Sequence, residues 1–194
     1  MTSRLKDLNN FGQSVWLDYI ERGFLLDGSL QKLLDEDGIK GVTSNPSIFE
    51  KYMGHGAKYD ADIKSLMKTG KHDAKQIYEH LAIKDIKLAA DILLPVYKAQ
   101  NHKEGYVSLE VSPHFANSTE QTIAEAKRLW KLVDRPNLMI KIPGTTAGMP
   151  AIKALIADGI NINITLLFSY SNYVSATEAY IDGLEDRLEK GLNI

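Results

Sequence analysis

Apolar positions along the chain switch repeatedly between two periods. Alternating or β-rich runs occur at Ser14–Ile20 (SVWLDYI), Ile39–Thr43, Gly105–Val111 (GYVSLEV), Asn137–Gly144 (NLMIKIPG) and Ile160–Leu167. Between them apolar residues recur at helical spacing. Leu5, Leu8 and Phe11 predict a short helix over residues 3–12. The turn after Ile20, ERGFLLDG, leads through Asp27 and Gly28 into a helix at Leu30–Asp35 that Gly38 stops. Pro46 suits the first turn of a helix running through Phe49 and Tyr52. Residues 57–101 read as mostly helical, with Ile86, Ala90, Leu93 and Tyr97 as a core stripe and Pro95 expected to kink or delay the helix. Ser118 and Gln121 form a capping-box signal for a helix with Ile123, Ala126, Trp130 and Val133 inward. A helix through Ile152, Leu155 and Ile156 ends at Gly159. A last one, from about Tyr173 to Leu192, carries Tyr180, Leu184 and Leu188 on one face.

Strands that alternate with helices predict an α/β fold with a parallel sheet. Polar residues fall on or just after successive strands: Asp18, Asn45, Glu110, Lys141 and Thr165. In a (β/α) barrel such positions converge on the C-terminal mouth, where catalysis is placed. A doubly wound sheet would need a Gly-rich phosphate turn after its first strand, and ERGFLLDG is not one. The expectation is therefore a TIM barrel, of which residues 1–194 form the N-terminal portion of one catalytic domain.

Lys141 is the residue whose chemistry matters most. Leu138, Ile140 and Ile142 alternate with Met139, Lys141 and Pro143. A lysine in so apolar a strand lies either at an exposed edge or inside, where it must be paired or lose its charge. An amine with a free pKa near ~10.4 is a poor nucleophile at neutral pH, whereas one depressed towards ~7 adds to a ketone and forms a Schiff base.

Composition narrows the field. A net charge of −2 argues against a nucleic-acid partner. The absence of cysteine excludes disulfides and thiolate metal sites. The start, MTSRLKDLNN, has no apolar signal-peptide core, and no later segment approaches a membrane span, so a cytoplasmic location is expected. His55, His72, His80, His102 and His114 show no metal-ligand spacing and read as surface or loop residues. Trp16 and Trp130 read as core or interface aromatics. GTTAG after the lysine could offer backbone amides to an anion, although it is not a Walker motif.

Two long stretches, GVTSNPSIF at Gly41–Phe49 and LMIKIPGTTAGMPAIKAL at Leu138–Leu155, resemble the two signature motifs of transaldolases. With WLDYI, SLEVSP and NITLLFS the resemblance extends from near the start of the chain to its end. It implies transfer of a dihydroxyacetone unit between sugar phosphates in the pentose phosphate pathway, from sedoheptulose 7-phosphate to glyceraldehyde 3-phosphate, through a lysine Schiff base and without metal or cofactor. Lys141 of IKIPGT would form the imine. Asp18 of WLDYI would move the proton of the hydroxyl released as aldehyde. Glu110 of SLEVSP, helped by Thr165 of NIT, would handle the water that makes or hydrolyses the imine. Asn45 and Asn163 would hold substrate hydroxyls. A direct ketose-phosphate aldolase and a non-catalytic remnant are the alternatives.

Each of these residues also has a bland reading. Asp18 suits a strand-end turn, Glu110 an ion pair, Asn45 a helix cap, Thr165 any strand, and Asn163 a loop bond. Their joint placement inside matched motifs favours the functional reading. A closed barrel needs about 250 residues, and only about the first five β/α units are counted here. The expectation is therefore a homo-oligomer or a complementing C-terminal segment, and poor activity from the 194-residue chain alone.

Overall fold

Residues 3–54 and 57–194 are described by a computed structural model, and His55 lies outside them. Strands β1 (Trp16–Asp18), β2 (Gly41–Thr43), β3 (Tyr106–Glu110), β4 (Leu138–Pro143) and β5 (Ile162–Thr165) are ordered in the sheet as in the chain. β1 pairs with β2 in parallel and β4 with β5 in parallel. The β3–β4 bonds, Val107 N–H to Asn137 O and Val111 N–H to Lys141 O, advance equally along both strands, as parallel pairing requires. The α/β class and the parallel sheet are as expected from the alternation of periods. The strands are shorter than the apolar runs that announce them, because each run extends beyond the ladder at one or both of its ends.

The chain divides into two compact units, Met1–Val107 with Arg135–Asn137, and Ser108–Asp134 with Leu138–Ile194. In the first unit, α1 (Arg4–Leu8) is followed by a 3-10 turn at Asn9–Phe11, matching the predicted short helix. ERGFLLDG is more than a turn: it forms α2 (Arg22–Leu26). The Glu21 carboxylate accepts the N–H groups of Gly23 and Phe24 at 2.9 and 3.0 Å, and this side-chain cap offsets the low helix propensity of Gly23. α3 (Ser29–Asp37) ends at Gly38, as its sequence signals, and α4 (Pro46–Met53) starts at Pro46. α5 (Asp60–Thr69) precedes α6 (Ala74–Ala99), whose Asp73 and Gln76 form a reciprocal capping box. α6 runs unbroken through Pro95, which lies near its exposed end. Ile86, Ala90 and Leu93 are fully buried, while Tyr97 is only partly so and stacks on His102. The Asn137 side-chain amide donates to Ala90 O and Gly105 O, both at 2.8 Å, joining α6 to the approach to β3.

The second unit contains α7 (Thr119–Val133), α8 (Gly148–Ala157) and α9 (Tyr170–Glu189). α7 buries Thr122, Ala126, Leu129 and Val133, so its inward stripe is rotated by one position from the predicted Ile123 and Trp130, which are half-buried. α9 forms where its spacing predicts, but the row of large apolar residues on it is not its buried face. Tyr180 and Leu188 are exposed, and the buried face is Ala176, Ala179 and Gly183. A Cβ on Gly183 would stand 2.7 Å from Lys153 O and 2.8 Å from Ile156 Cβ. Close approach of α8 and α9 therefore selects small residues over large apolar ones. No helix among the described residues is long and apolar enough to cross a membrane.

Candidate active site

In the second unit β4 is an internal strand. Its backbone bonds to β3 through Val111 N–H to Lys141 O at 3.1 Å, and to β5 in the register Lys141↔Asn163 and Pro143↔Thr165. Both faces of β4 are packed: Leu138, Ile140 and Ile142 are fully buried, and Lys141 is 9 % exposed. The edge-strand reading of Lys141 is thus excluded, and the interior reading demands a partner. Lys141 Nζ lies 3.5 Å from Glu110 Oε2, with the two side chains 11 % and 15 % exposed. Pairing of β3 with β4 sets Glu110 beside Lys141, and pairing of β4 with β5 sets Asn163 on the other side. Glu110, Lys141 and Asn163 thus form a row across three strands. Thr165 lies further along the same face of β5 and is half-buried, as is Asn163.

This pairing limits what the row can do. An ammonium and a carboxylate shielded from water form an ion pair that a proton transfer can neutralise. The small residual exposure leaves the pair in contact with solvent. Ser108, fully buried and on the Glu110 face of β3, adds a hydroxyl that the sequence reading left without a role. Its position two residues before a candidate acid on the same strand was the available signal.

In the first unit Asp18 is the last residue of β1 and is exposed. It is in register with Thr43 on β2, a second hydroxyl the sequence reading passed over. Two register positions earlier Trp16 faces Gly41, where a Cβ would come within 2.4 Å of the indole, so only glycine fits beneath the ring. Asn45 follows β2 and accepts the Ile48 N–H at 2.9 Å through Oδ1, which makes it the N-cap of α4. The bland role of Asn45 is therefore real, and the capping bond fixes where its amino group points.

After the lysine, Thr145 takes up two amides at the start of α8: its Oγ1 accepts Gly148 N–H at 3.0 Å, and its carbonyl accepts Met149 N–H at 3.2 Å. His72, His80, His102 and His114 are exposed, as expected of surface residues.

The family model described as Transaldolase/Fructose-6-phosphate aldolase matches residues 15–190. Transaldolase 2 of Nostoc punctiforme is 49 % identical over 193 residues, covering 100 % of this chain and 50 % of that protein. The transaldolase of Trichodesmium erythraeum is 47 % identical over 194 residues, covering 100 % of this chain and 51 % of that one. That of Thiobacillus denitrificans is 46 % identical over 189 residues, covering 97 % and 52 %. This chain thus spans about half the length of the curated relatives it matches. The lysine strand, the two motif stretches and a match that runs almost end to end establish that the chain belongs to the transaldolase/fructose-6-phosphate aldolase family.

Proposed function

We propose that this chain supplies the first five β/α units of a (β/α)8 barrel and the Schiff-base chemistry of a cytoplasmic transaldolase. The observation that carries the reading is the Lys141–Glu110 pair, 3.5 Å apart on adjacent strands and mostly withdrawn from water. Membership of a family described as transaldolase/fructose-6-phosphate aldolase supports the substrate class, ketose and aldose phosphates. Neither metal nor cofactor is required.

In this mechanism the Lys141 amine attacks the ketone carbon of the donor ketose phosphate. Proton transfer, with Glu110 as acid and base, expels the carbonyl oxygen as water and leaves a protonated imine. Thr165 helps Glu110 hold that water. Asp18 removes the proton of the C4 hydroxyl. As the C3–C4 bond breaks, its electron pair moves into the imine to give an enamine, and the former C4 departs as an aldehyde. Asn45 and Asn163 hold the hydroxyls of the retained three-carbon unit. The enamine then attacks the acceptor aldehyde, and water returned under Glu110 control hydrolyses the new imine. One carboxylate stands beside the lysine and the other at an exposed strand end, so the two can take separate duties.

Borohydride reduction of the intact protein with fructose 6-phosphate should add a three-carbon mass to the peptide containing Lys141. Lys141→Arg should abolish the adduct, because guanidinium stays protonated. Label at another lysine, or none, would sink the assignment. The family description also admits a direct aldolase, in which the enamine is protonated instead of captured. Release of free dihydroxyacetone at the full turnover rate without an acceptor would favour that second reading.

A further inference from the structure

The first unit buries an ionic cluster that the mechanism above does not use. Arg22, 5 % exposed, opens α2 directly after the segment that follows β1. Its Nε donates to Asp85 Oδ1 of α6, where Asp85 is fully buried, and its Nη1 donates to Asp62 Oδ2 of α5 at 2.6 Å. The Tyr59 hydroxyl donates to Asp85 Oδ2 at 2.8 Å and accepts the Arg22 backbone N–H at 3.1 Å, so backbone and side chain of Arg22 are held by one connected set of groups. Arg22 Nη2 is buried with no hydrogen-bond partner among the described residues.

A cluster of this kind is a poor way to gain stability, since well-packed apolar residues commonly serve as well or better, and an unmatched donor adds a cost. What it does supply is placement. Tyr19 packs edge-on against Phe24 and Tyr52, Ile20 is fully buried and Glu21 caps α2, so every residue between Asp18 and Arg22 is tied down. Asp18 itself ends its strand with an exposed side chain, so the position of its carboxylate depends on the backbone of this segment.

Resting on the reading of Asp18 proposed above, we infer that Arg22, held by Asp85, Asp62 and Tyr59, is a positioning residue that fixes the segment after β1 and with it the reach of the Asp18 carboxylate. Arg22 does not touch substrate. It sets where the proton acceptor stands, and a displacement of about 1 Å at such a group can cost about a hundredfold in rate.

The test separates two steps in the intact protein: borohydride trapping at Lys141, and single-turnover release of aldehyde. Tyr59→Phe removes one hydroxyl, and the pair Arg22→Met with Asp85→Leu replaces the ion pair by apolar volume. The pair is expected to keep its melting temperature and both variants to keep trapping within about twofold, while aldehyde release falls about tenfold to a hundredfold. A folded pair variant with trapping and release both at the unsubstituted level would overturn the inference, since a purely structural cluster is replaceable. If the pair does not fold, Tyr59→Phe decides alone, and release within twofold overturns. Absence of trapping in the unsubstituted protein would defeat the transaldolase reading itself, and this inference with it.

Discussion

At the scale of the residue, the two candidate acids sit in unlike surroundings, and the difference predicts different failures. Glu110 is paired with Lys141 and little exposed, so Glu110→Gln should slow imine formation and hydrolysis. Asp18 is exposed at a strand end, so Asp18→Asn should suppress carbon–carbon cleavage while imine trapping persists. Losses of about 10²-fold to 10⁴-fold set the scale for each. Rapid-quench measurement of both steps checks the division, and loss of the same step in both variants would contradict it. Asp85 gives a stability prediction of another kind. Burial pushes its carboxyl above the ordinary range, with the Arg22 and Tyr59 hydrogen bonds opposing. Burial likewise works against the Arg22 charge, but the Asp62 and Asp85 carboxylates outweigh it and hold the guanidinium above its ordinary value. Asp85→Ala leaves that buried cation with the Asp62 carboxylate alone and should cost about 3–5 kcal/mol, read as a shift in the denaturation midpoint.

At the scale of the element, what was legible in the sequence was whatever a local pattern carries. Gly38, Pro46 and Ser118 sit at the helix ends they mark, because capping depends on a few neighbouring bonds. The alternation of apolar periods gave the parallel sheet, and the matched motifs led to Lys141, Glu110 and Asn163, which β-pairing sets in one row. The inward faces of α7 and α9 were not legible, because they depend on which helix lies opposite and how closely. Arg22 was missed for the same reason: its partners come from α5 and α6, far along the chain. Gly183→Val tests the close approach in α9. Its side chain would meet Lys153 O and Ile156, and overpacking of this kind costs about 1–3 kcal/mol, visible as a lower melting temperature. The elements of the first unit also predict a response to acid. Hydrogen bonds from Lys84 and Arg22 hold the Asp62 carboxyl below its ordinary value. Burial would raise Glu21, but the Gly23 and Phe24 amides and Lys58 bring it below the usual range. Groups depressed in the folded state contribute stability that is present above the unfolded carboxylate pKa and lost as pH falls through the folded one. Melting temperature should therefore decline progressively below about pH 4, and Asp62→Asn should flatten that decline. Asp85, raised by burial, acts in the opposite sense, so an equally steep decline in Asp62→Asn would show that Asp62 is not the group responsible.

At the scale of the whole molecule, the decisive quantity is what the sheet leaves open. Among the described residues β1 and β5 are the terminal strands of the order β1-β2-β3-β4-β5, so each has one side without a neighbouring strand. β5 is half-exposed along its whole length, although it bears Asn163 and Thr165. Directly after it Leu166 is 53 %, Phe168 88 % and Tyr170 83 % exposed, an apolar cluster beside an open edge. Water reaching Asn163 and Thr165 competes with the hydroxyls and the imine water they are proposed to hold, so turnover by the 194-residue polypeptide should be low. The same surface should drive concentration-dependent self-association of that polypeptide, since an apolar patch next to unpaired strand groups is a template for pairing. Sedimentation velocity across a hundredfold range of concentration measures this directly. Phe168→Lys and Tyr170→Lys together should shift the distribution towards monomer, because charge at an edge opposes pairing. A polypeptide that sediments as monomer at every concentration, with or without the two lysines, would mean that neither the β5 edge nor the cluster beside it is accessible to a second chain in solution.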